Sequence, residues 1–152
     1  MFRPVTQADT NAVIRLIGEV WAEYDCVLDT DIEEKHLLDP GNYFRSRGGD
    51  FWVVEDDGRI VATVAVMFED GVPELKSLYV AREGRRKGLG ERLTRMVEDF
   101  ARERGAKEIV LWSDTRFGDA HRLYERLGYT RTGQRDLHDL NNSTEYGFKK
   151  TL

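Results

Sequence analysis

The stretch VAREGRRKGLGERLTRMVEDF, Val80 to Phe100, decides how the rest of the chain is read. It leaves an apolar strand pattern, passes through a turn holding Gly84, Gly88 and Gly90, and enters an amphipathic helix. Between Val80 and Arg92 stand five basic side chains (Arg82, Arg85, Arg86, Lys87, Arg92) and two acidic ones, whereas the whole chain carries a net charge of −5. A glycine-rich turn at a helix start points backbone N–H groups outward, where the macrodipole adds about half a positive charge. Gly88 and Gly90 lack a Cβ, so an anion can approach the backbone there. The pattern predicts a phosphate or pyrophosphate guest. Two familiar phosphate loops do not fit: G-x-x-x-x-G-K-[ST] is absent, and GLGERL lacks the third glycine of a dinucleotide fingerprint. Nucleotide hydrolysis and hydride transfer both lose support.

Downstream, the spacing predicts a helix over about Gly88 to Arg104, with Leu89, Leu93, Met96, Val97 and Phe100 on one side and Gly105 as its stop. Lys107 to Ser113 reads as a strand, Phe117 to Leu127 as a helix ended by Gly128, and Tyr129 to Gln134 and Thr144 to Thr151 as closing strands. Strand, glycine turn, helix and strand form a βαβ crossover, so the strand before the turn should run parallel to the one after the helix.

Upstream, Phe51 to Glu55 and Arg59 to Phe68 form a hairpin around Asp56-Asp57-Gly58, and Glu69-Asp70-Gly71 turns into a third strand, Glu74 to Val80. The chain opens with a short strand, Phe2 to Val5. A helix follows, started by the Thr6-x-x-Asp9 signal and striped by Val13, Leu16, Ile17, Val20, Trp21 and Tyr24. Asp31 to Leu38 reads as a short helix that Asp39-Pro40-Gly41-Asn42 breaks, inside a loop-rich segment closed by Gly48-Gly49. The expected fold is α/β (α+β): a mixed, largely antiparallel sheet of six or seven strands flanked by about four helices.

At 152 residues and 40% hydrophobic side chains, residues 1–152 read as a single globular domain. The acidic balance argues against nucleic acid and membrane partners, which require a broad basic face. Cys26 is the one cysteine, so no internal disulfide forms. With no signal-like leader and no run of apolar residues long enough to span a bilayer, a cytoplasmic protein is expected. His36 and His138 have no partner spacing for a metal, and no metal is expected.

Arg85-Arg86-Lys87-Gly88-Leu89-Gly90 matches Q/R-x-x-G-x-G/A. Together with ELKSLYV before it, EIVLWS after the helix and AHRLYERLGY at Ala120 to Tyr129, it resembles the GNAT superfamily of acyl-CoA-dependent N-acyltransferases. The likeness covers Glu74 to Tyr129, about half the chain. It implies acetyl-CoA as co-substrate. The backbone N–H groups of Arg86, Lys87, Gly88, Leu89 and Gly90, with Arg85 opening the pattern, would cradle the pyrophosphate. Leu78, Tyr79 and Val80 would run beside the pantetheine, with the Val80 N–H near the thioester carbonyl. The resemblance also implies a general acid at Tyr124 and, as in some members, a general base at Glu74.

For Tyr124 the bland alternative is an aromatic packed on the sheet, and for Glu74 an exposed strand-end carboxylate. Asp114 either binds an acceptor ammonium or caps the next turn. His121, three residues before Tyr124, either helps the acceptor site or is an exposed helix histidine. Trp21, Tyr24, Tyr43 and Phe44 either border an acceptor pocket or pack in the core. At Phe117 the sequence departs from the asparagine common in the family. The implied reaction is acetyl transfer to a primary amine by direct attack in a ternary complex, on a small-molecule, peptide or protein amine. Several carboxylates between Asp25 and Asp39 favour a cationic acceptor. A non-catalytic acyl-CoA-binding module and a nucleic-acid binder using the Arg82 to Lys87 loop are the competing readings. A homodimer is compatible with the family, but no residue here specifies an interface.

Overall fold

A computed structural model describes residues 1–152. Its elements are β1 (Phe2–Pro4), α1 (Thr10–Ala22), α2 (Pro40–Arg45), β2 (Asp50–Asp56), β3 (Arg59–Glu69), β4 (Val72–Val80), α3 (Leu89–Glu103), β5 (Glu108–Asp114), α4 (Gly118–Arg126), β6 (Thr130–Asp136) and β7 (Thr144–Thr151). Seven strands form one sheet in the order β1-β2-β3-β4-β5-β7-β6. Every neighbouring pair is antiparallel except β4 and β5. The mixed sheet, the crossover, the number of helices and the places of α1, α3 and α4 stand as expected from the sequence.

Strand alternation divides the core between the two faces of the sheet. Phe51, Val53 and Ala65 face α1 and α2, where Val13, Leu16, Ile17, Val20 and Phe44 are buried. Trp52, Val64, Val66, Ile109 and Leu111 point the other way, under Leu93 and Val97 of α3 and Tyr124 and Leu127 of α4. The sheet is therefore the middle of three layers, and both cores fix how it twists.

Two local readings change. Pro40 begins a helix where a break was expected: Asp39 Oδ1 accepts from Asn42 N at 3.4 Å, and proline at the first helical position loses no needed donor. The helix expected over Asp31 to Leu38 shrinks to one 3-10 turn, Lys35–Leu38. On α3, Met96 is 37% exposed, while Thr94 and Glu98 share the buried face with Leu93, Val97 and Ala101. The Glu98 carboxylate is tolerated there because Lys150 Nζ lies 3.0 Å from Oε1 and the Tyr129 hydroxyl donates to Oε2 at 2.8 Å.

The Thr6-x-x-Asp9 signal does start the first helical segment. Asp9 Oδ2 accepts from Thr6 N at 2.8 Å and from Thr6 Oγ1 at 3.0 Å. Arg3 clamps the same carboxylate and also Glu55 Oε1, which ties β1, the helix start and β2 together. The guanidinium holds the Asp9 carboxyl down at about 2.

Candidate active site

The site begins where two parallel strands part. β4 pairs with β5 at Glu74–Val110 and Leu75–Leu111. Past that point β4 bulges: its register against β3 shifts between Thr63 and Ala65, and Ser77 takes φ 53°. The Thr63 hydroxyl donates to the Ser77 carbonyl at 2.7 Å and so holds the bulge. Tyr79 and Val80 stay paired to Thr63 and Ala62 of β3, and the side facing β5 opens. Because Ala81 N donates to the Val61 carbonyl, antiparallel alternation turns the Val80 N–H and C=O away from β3. Arg85 Nε takes that carbonyl at 3.0 Å, and the N–H faces the opening.

One cavity of about 570 Å³ lies on the α3 side of the opening. Leu78, Tyr79 and Val80 line it from β4, and Arg85, Arg86, Gly88, Leu89 and Gly90 line it from the turn and helix start. Lys87 is exposed and stands outside the lining. Arg86 at φ 63° and Gly88 at φ 74° are both left-handed, which folds the turn into a concave array of N–H groups suited to an anion. A Cβ on Gly88 would meet open space, whereas one on Gly90 would come 3.0 Å from Leu123 Cδ2. Gly90 thus also serves the packing of α3 against α4.

The basic side chains of the turn divide in two. Arg85 is fixed by Glu23 through two bonds of 2.8 Å, and Arg82 also reaches Glu23 at 3.4 Å. The fixed pair anchors the turn to the end of α1. Arg86 lines the cavity with no acidic partner and remains available to an anion. Apolar side chains, an unpaired strand edge and the N–H groups of the glycine turn thus border one cavity, a lining suited to a ligand with an apolar part and an anionic part.

A second cavity, about 320 Å³, lies on the other side of the opening. The two share Leu78, Tyr79, Phe117 and Ala120 as walls, so a group in one can meet a group in the other. Phe117, the departure from the family pattern, packs edge-on against Tyr24 and Tyr79 at this boundary. The Tyr79 hydroxyl accepts from Trp21 Nε1 at 3.0 Å, and burial raises its pKa.

Tyr124 lines the second cavity. It is 4% exposed, its ring packs 5.7 Å from those of Tyr129 and Phe148, and its hydroxyl has no partner in the chain. Burial pushes the phenol up, so it keeps its proton at neutral pH. Glu74 lines the same cavity, with Lys76 Nζ 3.7 Å from Oε2. Asp114 also faces it while Oδ1 accepts from Arg116 N at 2.8 Å, so the turn-capping role is filled. His121 lies behind the lining, its Nε2 3.1 Å from the hydroxyl of Ser113, which does face the cavity. Desolvation lowers the His121 pKa and favours the neutral ring.

Trp21 and Tyr43 border the second cavity, Tyr24 borders the first, and Phe44 is fully buried core. Glu34 and His36 complete the wall from the segment before α2. Burial raises the Glu34 carboxyl to about 7 and lowers the His36 imidazole to about 4. Glu34 belongs to the carboxylate-rich Asp25 to Asp39 segment already visible in the sequence, but no local pattern marked Ser113, and only the fold brings the two segments to the opening.

The profile of the Acetyltransferase (GNAT) family matches residues 14–129. The chain belongs to this family. Human N-acetyltransferase 8 is 34% identical over 127 residues, which is 78% of this chain and 54% of that protein. The chain therefore spans about half the length of that relative. The uncharacterized N-acetyltransferase YjgM of Escherichia coli K12 is 30% identical over 135 residues, 85% of this chain and 81% of that one.

A GNAT acetyltransferase from Staphylococcus aureus Mu50 shares the fold with a TM-score of 0.88 at 19% identity, over 100% of this chain and 98% of that chain. The yncA acetyltransferase of Salmonella typhimurium, solved with its cofactor acetyl-CoA, has a TM-score of 0.75 at 22% identity, over 100% and 93% of the two chains. These two likenesses are of fold, and the family is the one whose profile matches residues 14–129. No helix is long and apolar enough to cross a membrane.

Proposed function

We propose that the protein transfers the acetyl group of acetyl-CoA to a primary amine by direct attack in a ternary complex. The observation that carries this reading is the meeting of the two cavities at Leu78, Tyr79, Phe117 and Ala120, beside a strand edge left unpaired by the Ser77 bulge. Acetyl-CoA supplies the activated acyl group and a thiolate leaving group. Arg86, Gly88 and the other N–H groups of the turn hold its pyrophosphate, and the Val80 N–H points toward the acyl carbonyl.

Tyr124 is the proposed general acid. A tyrosine near 10 gives its proton to a thiolate near 8.5 at an expense of roughly 2 kcal/mol. Burial raises the Tyr124 phenol, which adds to that cost to the extent that the leaving thiolate is not desolvated as well. Glu74 is the proposed base for the amine proton. A reference carboxylate near 4.3 facing an ammonium near 10.4 is mismatched by about six units, so either the amine loses its proton to water before it attacks, or the Glu74 site must favour the protonated carboxyl and take the proton through a water relay. Cys26 is not needed: no feature around it supports an acyl-cysteine route, and its thiol is raised by desolvation away from the reactive thiolate form.

Acetyl-CoA at roughly 100 times its Kd should stabilise the fold by about 2.7 kcal/mol, read as a rise in Tm. Gly88→Glu should abolish that rise. Thiol release with an amine panel should then require Tyr124, with kcat for Tyr124→Phe falling by about 10²-fold or more. Coenzyme binding without thiol release from any amine would favour a non-catalytic binding module.

A further inference from the structure

The second cavity is lined by six carboxylates (Glu33, Glu34, Glu74, Asp114, Asp139 and Glu145) and by two cations, Lys76 and Arg135. The cations are already engaged. Lys76 lies 3.7 Å from Glu74. Arg135 pairs with Glu145 at 2.8 Å and lies over the Trp112 ring at 4.1 Å. Asp114 is held by Arg116 at 2.9 Å. Glu33, Glu34 and Asp139 are left with no ion-pair partner except the ring of His36, 3.6 Å from Glu34; of the three, Glu33 is exposed, whereas Glu34 and Asp139 are half-buried. That imidazole is neutral at physiological pH, because its pKa lies at about 4.

The groups that act on Glu34 come from several elements. Glu33 on its own segment, Asp139 between β6 and β7 and Glu145 on β7 repel it, and Lys76 on β4 attracts it. A like-charged set in a partly desolvated cavity is relieved by a proton or by a cation. The same cavity carries an independent mark, the unpartnered hydroxyl of Tyr124, whose side chain is otherwise almost fully buried. The same cavity thus holds an unpartnered hydroxyl at Tyr124 and two half-buried carboxylates, Glu34 and Asp139, that no cation pairs directly.

We infer that the acceptor is a diamine, or another amine with a second fixed positive charge, whose distal cation sits between Glu34 and Asp139 while its reacting nitrogen lies beside Tyr124. This inference rests on the acetyl-transfer reading and adds the substrate class to it. Glu34 and Asp139 determine specificity here and take no part in the chemistry. An acceptor carboxylate at that position would meet mainly acidic neighbours, with Lys76 already beside Glu74, and is disfavoured.

The test uses the coenzyme-saturated protein and three amines of similar length: putrescine, n-butylamine and γ-aminobutyrate. Calorimetric binding of each is measured at about pH 8, where Glu34 is ionised, and thiol release from acetyl-CoA is followed in parallel. Putrescine should bind at least about tenfold more tightly than n-butylamine, the scale of one hydrogen bond to a charged group, and γ-aminobutyrate should be weakest. Glu34→Gln and Asp139→Asn should each erase most of that preference while leaving the Tm rise given by acetyl-CoA unchanged. Asp139→Asn keeps an oxygen for the bond from Ser143 N, so the loop remains supported. Equal binding of putrescine and n-butylamine, no binding of putrescine, or a preference that survives both substitutions would overturn the inference. Thiol release with n-butylamine alone would overturn the diamine class and leave acetyl transfer standing. Loss of the acetyl-CoA response itself would strike the acetyl-transfer reading.

Discussion

The side-chain amide of Asn141 closes a two-bond clamp on Val27: its Oδ1 accepts from Val27 N at 2.9 Å and its Nδ2 donates to the Val27 carbonyl at 2.8 Å. The clamp joins the segment after α1 to the connection between β6 and β7, across 114 residues of sequence. Both Asn141 and the neighbouring Cys26 line the second cavity, so the clamp forms part of its rim. Arg116 supports it by donating to the Asn141 carbonyl at 2.7 Å.

Asn141→Ala should release this rim without unfolding the domain. Two partly exposed hydrogen bonds contribute about 1–2 kcal/mol of local stability. Amide exchange at Val27 should therefore accelerate by roughly 5–30-fold, while exchange in β3 and β5 stays as in the parent. Uniform acceleration across the sheet would show that the clamp supports the whole fold rather than the cavity rim.

Glu98 is 1% exposed and bound by Lys150 and Tyr129. Glu98→Ala leaves the Lys150 ammonium without its partner next to the core, a change expected to destabilise by about 3 kcal/mol and lower Tm by roughly 6–12 °C. Replacing Glu98 and Lys150 together by apolar residues of similar volume should recover much of that loss, because desolvation of the pair is then avoided. Thermal melts of the three variants would decide this.

Glu34 gives a pH dependence of defined sign. Its folded carboxyl titrates at about 7, above the ordinary 4.5, chiefly because burial disfavours the charge. The folded state therefore holds the extra proton between those values, and this group removes stability as pH rises through the window. The loss is complete above about 7 and absent below about 4.5. Glu34→Gln should accordingly melt higher than the parent at about pH 8 and at the same temperature near pH 4. Equal Tm differences at both pH values would refute it. His36, held neutral, removes stability in the opposite direction as pH falls below 6.5, and comparison of Gln with Glu in one background cancels that contribution.

Gly88 and Gly90 should respond differently to alanine. Gly88 at φ 74° takes a conformation that disfavours a side chain by about 1–2 kcal/mol, although the space around it is open. Gly90→Ala has no positive φ to overcome, but its methyl would come 3.0 Å from the Leu123 Cδ2 methyl, which must give by a few tenths of an ångström. The first variant should lose Tm modestly. The second should shift Leu123 and weaken coenzyme binding along with it. Thermal melts in the presence and absence of acetyl-CoA separate the two cases.

Most of the secondary structure was legible because its signals are local. Asp57-Gly58 and Asp70-Gly71 turn the hairpins with positive φ at both residues, and the Val13, Leu16, Ile17, Val20 stripe is buried as its spacing requires. The segment before β2 was misread where two local rules competed: Pro40 ends a preceding helix and can equally open a new one, and Asp39 supplied the cap that opened it. The buried place of Glu98 was hidden because its neutralising partner comes from β7, 52 residues away.

The sequence by itself determined the strand–turn–helix order from Glu74 to Tyr129, the basic glycine turn at the start of α3 and, through its motifs, the family. These depend on dihedral preferences and periodicities that short stretches of chain carry within themselves. The tertiary structure alone decided which side chains share the two cavities. The Ser77 bulge opens the sheet, Arg85 spends its charge on Glu23, and Glu34 meets Asp139 and Glu145 across the second cavity. Such contacts join residues far apart in the chain. Their strength depends on burial and on neighbouring charge, which exist only once the layers have packed.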